Sequence, residues 1–157
     1  MALAPPTQAG FLNFVRVTMG IPVANLPDTS PVIAMAFLVA IDLVNQALNL
    51  AIPDIYTLAV YNLAGDNLVN YAQDASNAPI YQNGMTYFTY LRTQFGCNNF
   101  SPGVVSSSAD VSTSNSLQVI EAAKNLTLGN LQNLKTPWGR TYLAFAQDYG
   151  PNIWGIS

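Results

Sequence analysis

The sequence contains no histidine and a single cysteine, Cys97. Without histidine, histidine-based catalytic triads, histidine metal sites and a histidine general base are excluded. One thiol can neither form an internal disulfide nor build a zinc site. Its neighbours, Gly96 and Asn98, supply no activating base or cation, so the thiol reads as inert. Charge is scarce too: 8% of residues are charged, where about 25% is usual. The five basic residues (Arg16, Arg92, Lys124, Lys135 and Arg140) stand singly and the net charge is −3. That leaves no patch to neutralise phosphates and argues against direct nucleic-acid binding. Neither the dinucleotide fingerprint nor the P-loop pattern occurs. The opening Met-Ala-Leu-Ala-Pro-Pro lacks the basic start and apolar run of a secretory signal.

What is there is apolar. Half of the 157 residues are hydrophobic, enough for one domain with a real core. A chain so poor in charge either enters a membrane or covers much of its surface with other subunits, because permanent interfaces are apolar at their centres. The second reading is preferred. Pro5-Pro6 makes residues 1–6 an extended arm. A short helix fits Gln8–Met19, with Phe11, Phe14, Val15 and Met19 on one face, and Pro22–Thr29 reads as an ordered turn.

Two long apolar segments follow, Pro31–Ile52 and Pro53–Tyr71, each read as one helix and together as an antiparallel pair. Ser30-Pro31 is a start signal. From Val32 to Ile41 the segment is apolar all round, which predicts burial on every side. Asp42, Asn45, Gln46 and Asn49 then form one polar stripe of helical period. Pro31–Ile52 is long enough to cross a bilayer, but an aspartate and three amides in its second half argue against insertion. In Pro53–Tyr71 the expected inward face is Ile55, Leu58, Ala59, Leu63 and Leu68, with Ala59, Ala64 and Gly65 allowing close approach. Tyr56, Tyr61 and Tyr71 flank it, either as buried rings with hydroxyls at the surface or as contacts to a partner.

Gln73–Gly84 is rich in turn formers, and a third helix is predicted at Met85–Phe95, stopped by Gly96. Cys97–Ser116 is the compositional outlier, serine- and asparagine-rich with scattered β-branched residues. It reads as an extended loop or β-hairpin at an interface, with Phe100, Val104, Val105 and Val111 as its candidate partner-binding residues. Leu117–Lys135 matches neither helical nor strand period cleanly. Thr136-Pro137 opens a last helix at 136–150 whose stripe, Trp138, Tyr142, Phe145 and Tyr149, reads as core. In the tail Pro151–Ser157, the apolar Ile153, Trp154 and Ile156 either fold back or anchor a partner. The whole is expected to be mainly α, a small helical bundle with a long loop or β-hairpin extension and an extended C-terminal tail. The carboxylates are separated along the chain. Asp42, in an apolar helix, could be a perturbed acid acting with nearby tyrosines, but pairing with a neighbour's arginine or amide is the plainer role.

Leu-Gly-Asn-Leu (128–131), Thr-Pro-Trp-Gly-Arg-Thr-Tyr-Leu (136–143) and Tyr149-Gly150 resemble the closing segment of tailed-bacteriophage head–tail connector (adaptor) proteins. In that family a glycine- and aromatic-containing stretch before the last helix follows a long loop. The apolar pair Ala36–Val69, with its Tyr-x-Leu-Ala-x-Tyr-x-Leu-Ala run (56–64), also fits. The resemblance implies a structural virion protein of the neck, assembled in the host cytoplasm, with neither catalysis nor cofactor. It implies a homo-oligomeric ring, a dodecamer, beneath the portal protein. Such a ring offers a platform to a downstream neck or tail protein, with DNA only passing through its channel and no membrane involved. Cys97–Ser116 and Pro151–Ser157 correspond to the parts through which such proteins contact neighbours. Other expectations are a capsid decoration or minor tail protein, a membrane-inserting helical phage protein, and an enzyme or small-molecule binder built on Asp42.

Overall fold

The computed structural model describes residues 5–98, 107–110, 113–116 and 128–149. Seven helices lie among them: α1 (Gln8–Val17), α2 (Pro31–Leu43), α3 (Ala47–Ala51), α4 (Pro53–Tyr71), α5 (Tyr87–Gln94), α6 (Leu128–Asn133) and α7 (Pro137–Tyr149). Two short strands, β1 (Ser107–Asp110) and β2 (Thr113–Ser116), pair antiparallel with Ser107 opposite Ser116. The chain is a small helical bundle, as its composition and periodicities predict.

α4 is the axis. The run from Asn62 to Val69 is buried without interruption, and Tyr56, Thr57, Ala59 and Val60 are buried before it. α2 and α7 pack along it, and α1, α3 and α5 close the remaining sides. Small side chains make this possible. A Cβ on Gly65 would stand 3.1 Å from Met19 Sδ, so the chain leaving α1 rests directly on the α4 backbone. Phe11, Phe14, Phe37 and Tyr61 form one aromatic cluster across α1, α2 and α4, with ring centroids 5.8 to 6.4 Å apart. Most polar groups on α4 bond back to the helix or across it, Asn62 Nδ2 donating to the Leu58 carbonyl at 2.8 Å, whereas Asn67 Nδ2 is buried without a partner among the described residues. Buried amides left without partners would each cost about 1–3 kcal/mol.

The structure exchanges the roles expected of the two long segments. Pro31–Ile52 is not one helix. α2 stops at Leu43, Val44 is extended (φ −75°, ψ 129°), and α3 begins at Ala47. The residues of the predicted polar stripe make the break. Asn45 Oδ1 accepts from Ala47 N at 2.9 Å, and Gln46 Nε2 donates to the Ile41 carbonyl at 3.2 Å and to the Tyr56 hydroxyl at 2.7 Å. Short polar side chains that bond nearby backbone compete with the helix ladder. Burial on every side is also corrected: Ile33, Ala36, Phe37 and Ala40 are buried, while Met35, Leu38, Val39 and Leu43 are exposed. It is α4, expected to bury one face, that is enclosed on every side from Asn62 to Val69; within its predicted inward set, Ile55 and Leu58 are only half-buried. Among the described residues no helix is long and apolar enough to cross a membrane.

Short-range polar contacts set the connections. The ordered turn predicted at Pro22–Thr29 is held by Arg16, which donates to the Ile21 carbonyl (2.7 Å), the Leu26 carbonyl (2.5 Å) and Asp28 Oδ1 (2.5 Å). α5 starts two residues after the predicted Met85. Gln82–Met85 instead form a tight turn, with Asn83 and Gly84 at φ 53° and 74° and Tyr81 N donating to the Met85 carbonyl at 2.8 Å. Asp74 then reaches the N-terminus of α5. Its carboxylate accepts from Phe88 N (2.9 Å), Thr89 N (3.0 Å), the Thr86 hydroxyl (2.6 Å) and the Thr89 hydroxyl (3.1 Å). Burial pushes this carboxyl up, but the donated bonds outweigh it and hold Asp74 below the usual carboxylate range. A depressed native pKa means stability that is present above the unfolded value and is lost as pH falls through the native one. Asp74→Ala is therefore expected to cost about 1–2 kcal/mol at neutral pH. The loss should shrink toward zero in acid, as measured by urea denaturation of both proteins across pH.

Candidate interaction surface

α2 carries large apolar residues on two faces because nothing in Val32–Ile41 is polar. A helix in that state must bury both faces or leave one outside. The inner face docks on α4 and α1. On the outer face Pro31, Met35, Leu38, Val39 and Leu43 follow one another at helical spacing, with Met35 47%, Leu38 60% and Leu43 63% exposed. Past the break Leu50 is 90% exposed, on α3. The stripe carries one charge, Asp42, which is exposed at its α3 end. Scattered apolar side chains on a surface are ordinary, whereas an aligned row of large ones marks a contact site.

Asp42 has no partner among the described residues. No hydrogen bond joins it to a tyrosine among the described residues. Tyr56 is buried with its hydroxyl bonded to Gln46, and Tyr61 lies in the aromatic cluster with its hydroxyl accepting from Thr7 N at 3.2 Å. Tyr71 is exposed at the far end of α4. Two of the three tyrosines thus take the core role. The α7 stripe does so in part: Tyr142 is buried, Trp138 and Phe145 are half-buried, and Tyr149 is exposed. Trp138 stands edge-on to Phe95 at 5.6 Å. Cys97 is half-buried, and burial together with Asp66 pushes its thiol up against the opposing pull of Lys135 and Arg92. That is the opposite of an activated nucleophile. Among the described residues no three Cys, Asp or Glu side chains are grouped to hold a metal.

The partner-binding residues expected from sequence, Phe100, Val104, Val105, Val111, Ile153, Trp154 and Ile156, all lie outside the described residues. Sequence reasoning missed two features. One is the outward row on α2, which a purely apolar segment conceals because period alone gives no direction. The other is Asp66, the carboxylate that is buried where Asp42 is not. Its signal was present: an acid beside Gly65 in the middle of Leu63–Val69 has no route to water if the helix is central.

Comparison of the chain with protein-family models, with curated proteins and with solved structures gives no match. Each exposed leucine on α2 has about 1–2 kcal/mol of hydrophobic free energy still to gain on being covered. Leu38→Lys with Leu43→Lys is expected to leave the denaturation midpoint almost unchanged, within about 0.5 kcal/mol. The same pair should weaken concentration-dependent association in sedimentation by about tenfold per leucine.

Proposed function

We propose that the chain is a structural virion protein, a head-to-tail adaptor subunit that assembles into a ring beneath the portal and joins capsid to tail. The observation that carries the assembly part of this reading is the α2 row, Met35, Leu38, Val39 and Leu43, aligned on the outside of the bundle. Its occupant is a neighbouring copy of the same chain. A face with so little charge has no steering for an oppositely charged partner, whereas a ring brings copies together at a fixed geometry. The portal enters through the resemblance of residues 128–150, whose Thr136-Pro137 signal opens α7.

Magnitudes favour a ring over a single pair. Association costs on the order of 4–15 kcal/mol, and a few partly exposed leucines and a methionine supply about 4–8 kcal/mol when covered. One such contact is marginal. A ring closes with two interfaces per subunit, and docking on a second ring adds more. In this reading the segment 97–116 and the tail 151–157 provide those further contacts through Phe100, Val104, Val105, Val111, Ile153, Trp154 and Ile156. The chain sits in the virion neck, encloses passing DNA without gripping it, and performs no reaction.

The test is to mix the purified chain with portal rings and examine the product by native mass spectrometry and negative-stain imaging. The expected result is a ring of this chain stacked coaxially on the portal, with Leu38→Lys, Leu43→Lys failing to close it. A chain that remains monomeric at high concentration and ignores the portal contradicts the proposal.

A further inference from the structure

α6 and α7 are joined to the rest of the bundle by a polar contact in its interior. Asp66, in the second half of α4, is fully buried, as is Thr136, the residue before α7. The Thr136 hydroxyl donates to Asp66 Oδ1 and accepts from Gly139 N at 2.9 Å. One hydroxyl thus caps α7 and ties it to α4. The other carboxylate oxygen accepts from Asn70 Nδ2 at 3.2 Å, and Asn70 Oδ1 accepts from Gln132 Nε2, on α6, at 3.0 Å. The approach is close enough to require glycine: a Cβ on Gly139 would come within 2.8 Å of Asp66 Oδ1 and would collide with the Asn133 carbonyl.

The groups that meet the carboxylate are neutral donors, so its ionisation places a charge in the interior. Nearby charged and titratable groups from the surrounding elements are already engaged. Arg92 of α5 donates to the Val69 and Ala72 carbonyls (3.3 and 2.5 Å), and Lys135 donates to the Cys97 carbonyl at 3.3 Å. Arg140 of α7 donates to the carbonyls of Leu134 and Lys135 (3.1 and 3.2 Å). Arg16 of α1 is paired with Asp28. The Cys97 thiol, held up by burial, stays neutral. Asp42 of α2 and Asp148 of α7 are exposed, and Asp54 stands three turns away on α4.

We propose that the Asp66–Thr136 contact is a proton-operated latch, which fixes the α6–α7 arm on α4 when the carboxyl is protonated and loosens it when the carboxyl ionises. Burial, against the lowering bonds from Thr136 and Asn70, raises Asp66 from 3.8 to about 6. A raised native pKa means that the docked arm binds more protons than the released one between those values. Docking is therefore strongest in acid and weakens as pH rises through about 6. The interval allows a change in the opening equilibrium on the order of 100-fold.

Hydrogen exchange resolved by peptide, corrected for the intrinsic pH dependence, tests this on the full chain. Residues 137–149 are expected to lose up to about 100-fold in protection between mild acid and neutral pH, with the buried part of α4 beside the aromatic cluster changing less. Asp66→Asn keeps an acceptor for Asn70 and an amide that the Thr136 hydroxyl can accept from, so its arm is expected to stay protected throughout. Carboxyl-carbon NMR of the unsubstituted chain supplies a second reading, a titration of Asp66 near pH 6. An arm whose corrected protection is independent of pH, an Asp66→Asn variant with the unsubstituted pH profile, or an Asp66 that titrates in the ordinary carboxylate range would each overturn the latch.

Discussion

The constraint on which the structure rests is that α4 has no outward face along its second half. A helix buried from Asn62 to Val69 must supply small side chains where neighbours come near and must find internal partners for its polar atoms, which it does at Asn62 and Asp66 but not at Asn67 Nδ2. Both demands appear in the same few residues. Gly65 receives the end of α1, and Asp66 and Asn70 receive α7 and α6. The remaining helices are arranged by what α4 offers. α2 lies along it through Ile33, Ala36, Phe37 and Ala40, and Gly139 sets the closest approach of α7. Because Gly139 meets Asp66 only five residues before α4 ends, α7 must run back toward the start of α4 to pack along it.

Occupying α4 fully leaves α2 with a surplus. Each neighbour of the central helix needs one apolar face, and α2 brings two. Ordinary surface helices place Lys, Glu or Arg on the second face. Here the only charge is Asp42, where α2 ends. Several polar groups among the described residues break or cap helices: Asn45 and Gln46 end one segment, Asp74 caps α5 from a loop, and Arg16 staples a turn. The uncoated row and the shortage of charge are thus two sides of one composition, and in the proposed assembly another subunit would cover the row.

The helical class and the main helix starts were legible because proline marks them locally, after a hydroxyl in two of the three cases: Ser30-Pro31, Ile52-Pro53 and Thr136-Pro137 lie within a residue of α2, α4 and α7. Which helix is central was not legible. Apolar content ranks Pro31–Leu43 above Pro53–Tyr71, yet enclosure follows the number of neighbours, and that number is fixed by residues far away in sequence such as Thr136 and Gly139. The break at Val44 was hidden for a related reason. Asp42, Asn45, Gln46 and Asn49 have helical period, and only the local bonds of Asn45 and Gln46 turn that stripe into a stop. The burial of Asp66 could be argued only once α4 was known to be covered on all sides.

The central claim is that the outer row of α2 is covered by a neighbouring copy when the chain does its work. Oxidative footprinting of Met35 tests it most directly, since the thioether is a reactive group in the middle of that row and is 47% exposed in the single chain. Comparing oxidation of Met35 in the dilute chain with that in the assembled particle, with the half-buried Met19 beside Gly65 as internal reference, reads the one surface in question. The account predicts that Met35 is oxidised readily in the dilute chain and strongly protected on assembly, while Met19 changes little. Equal oxidation of Met35 in both states, in a particle shown to be assembled, would contradict it.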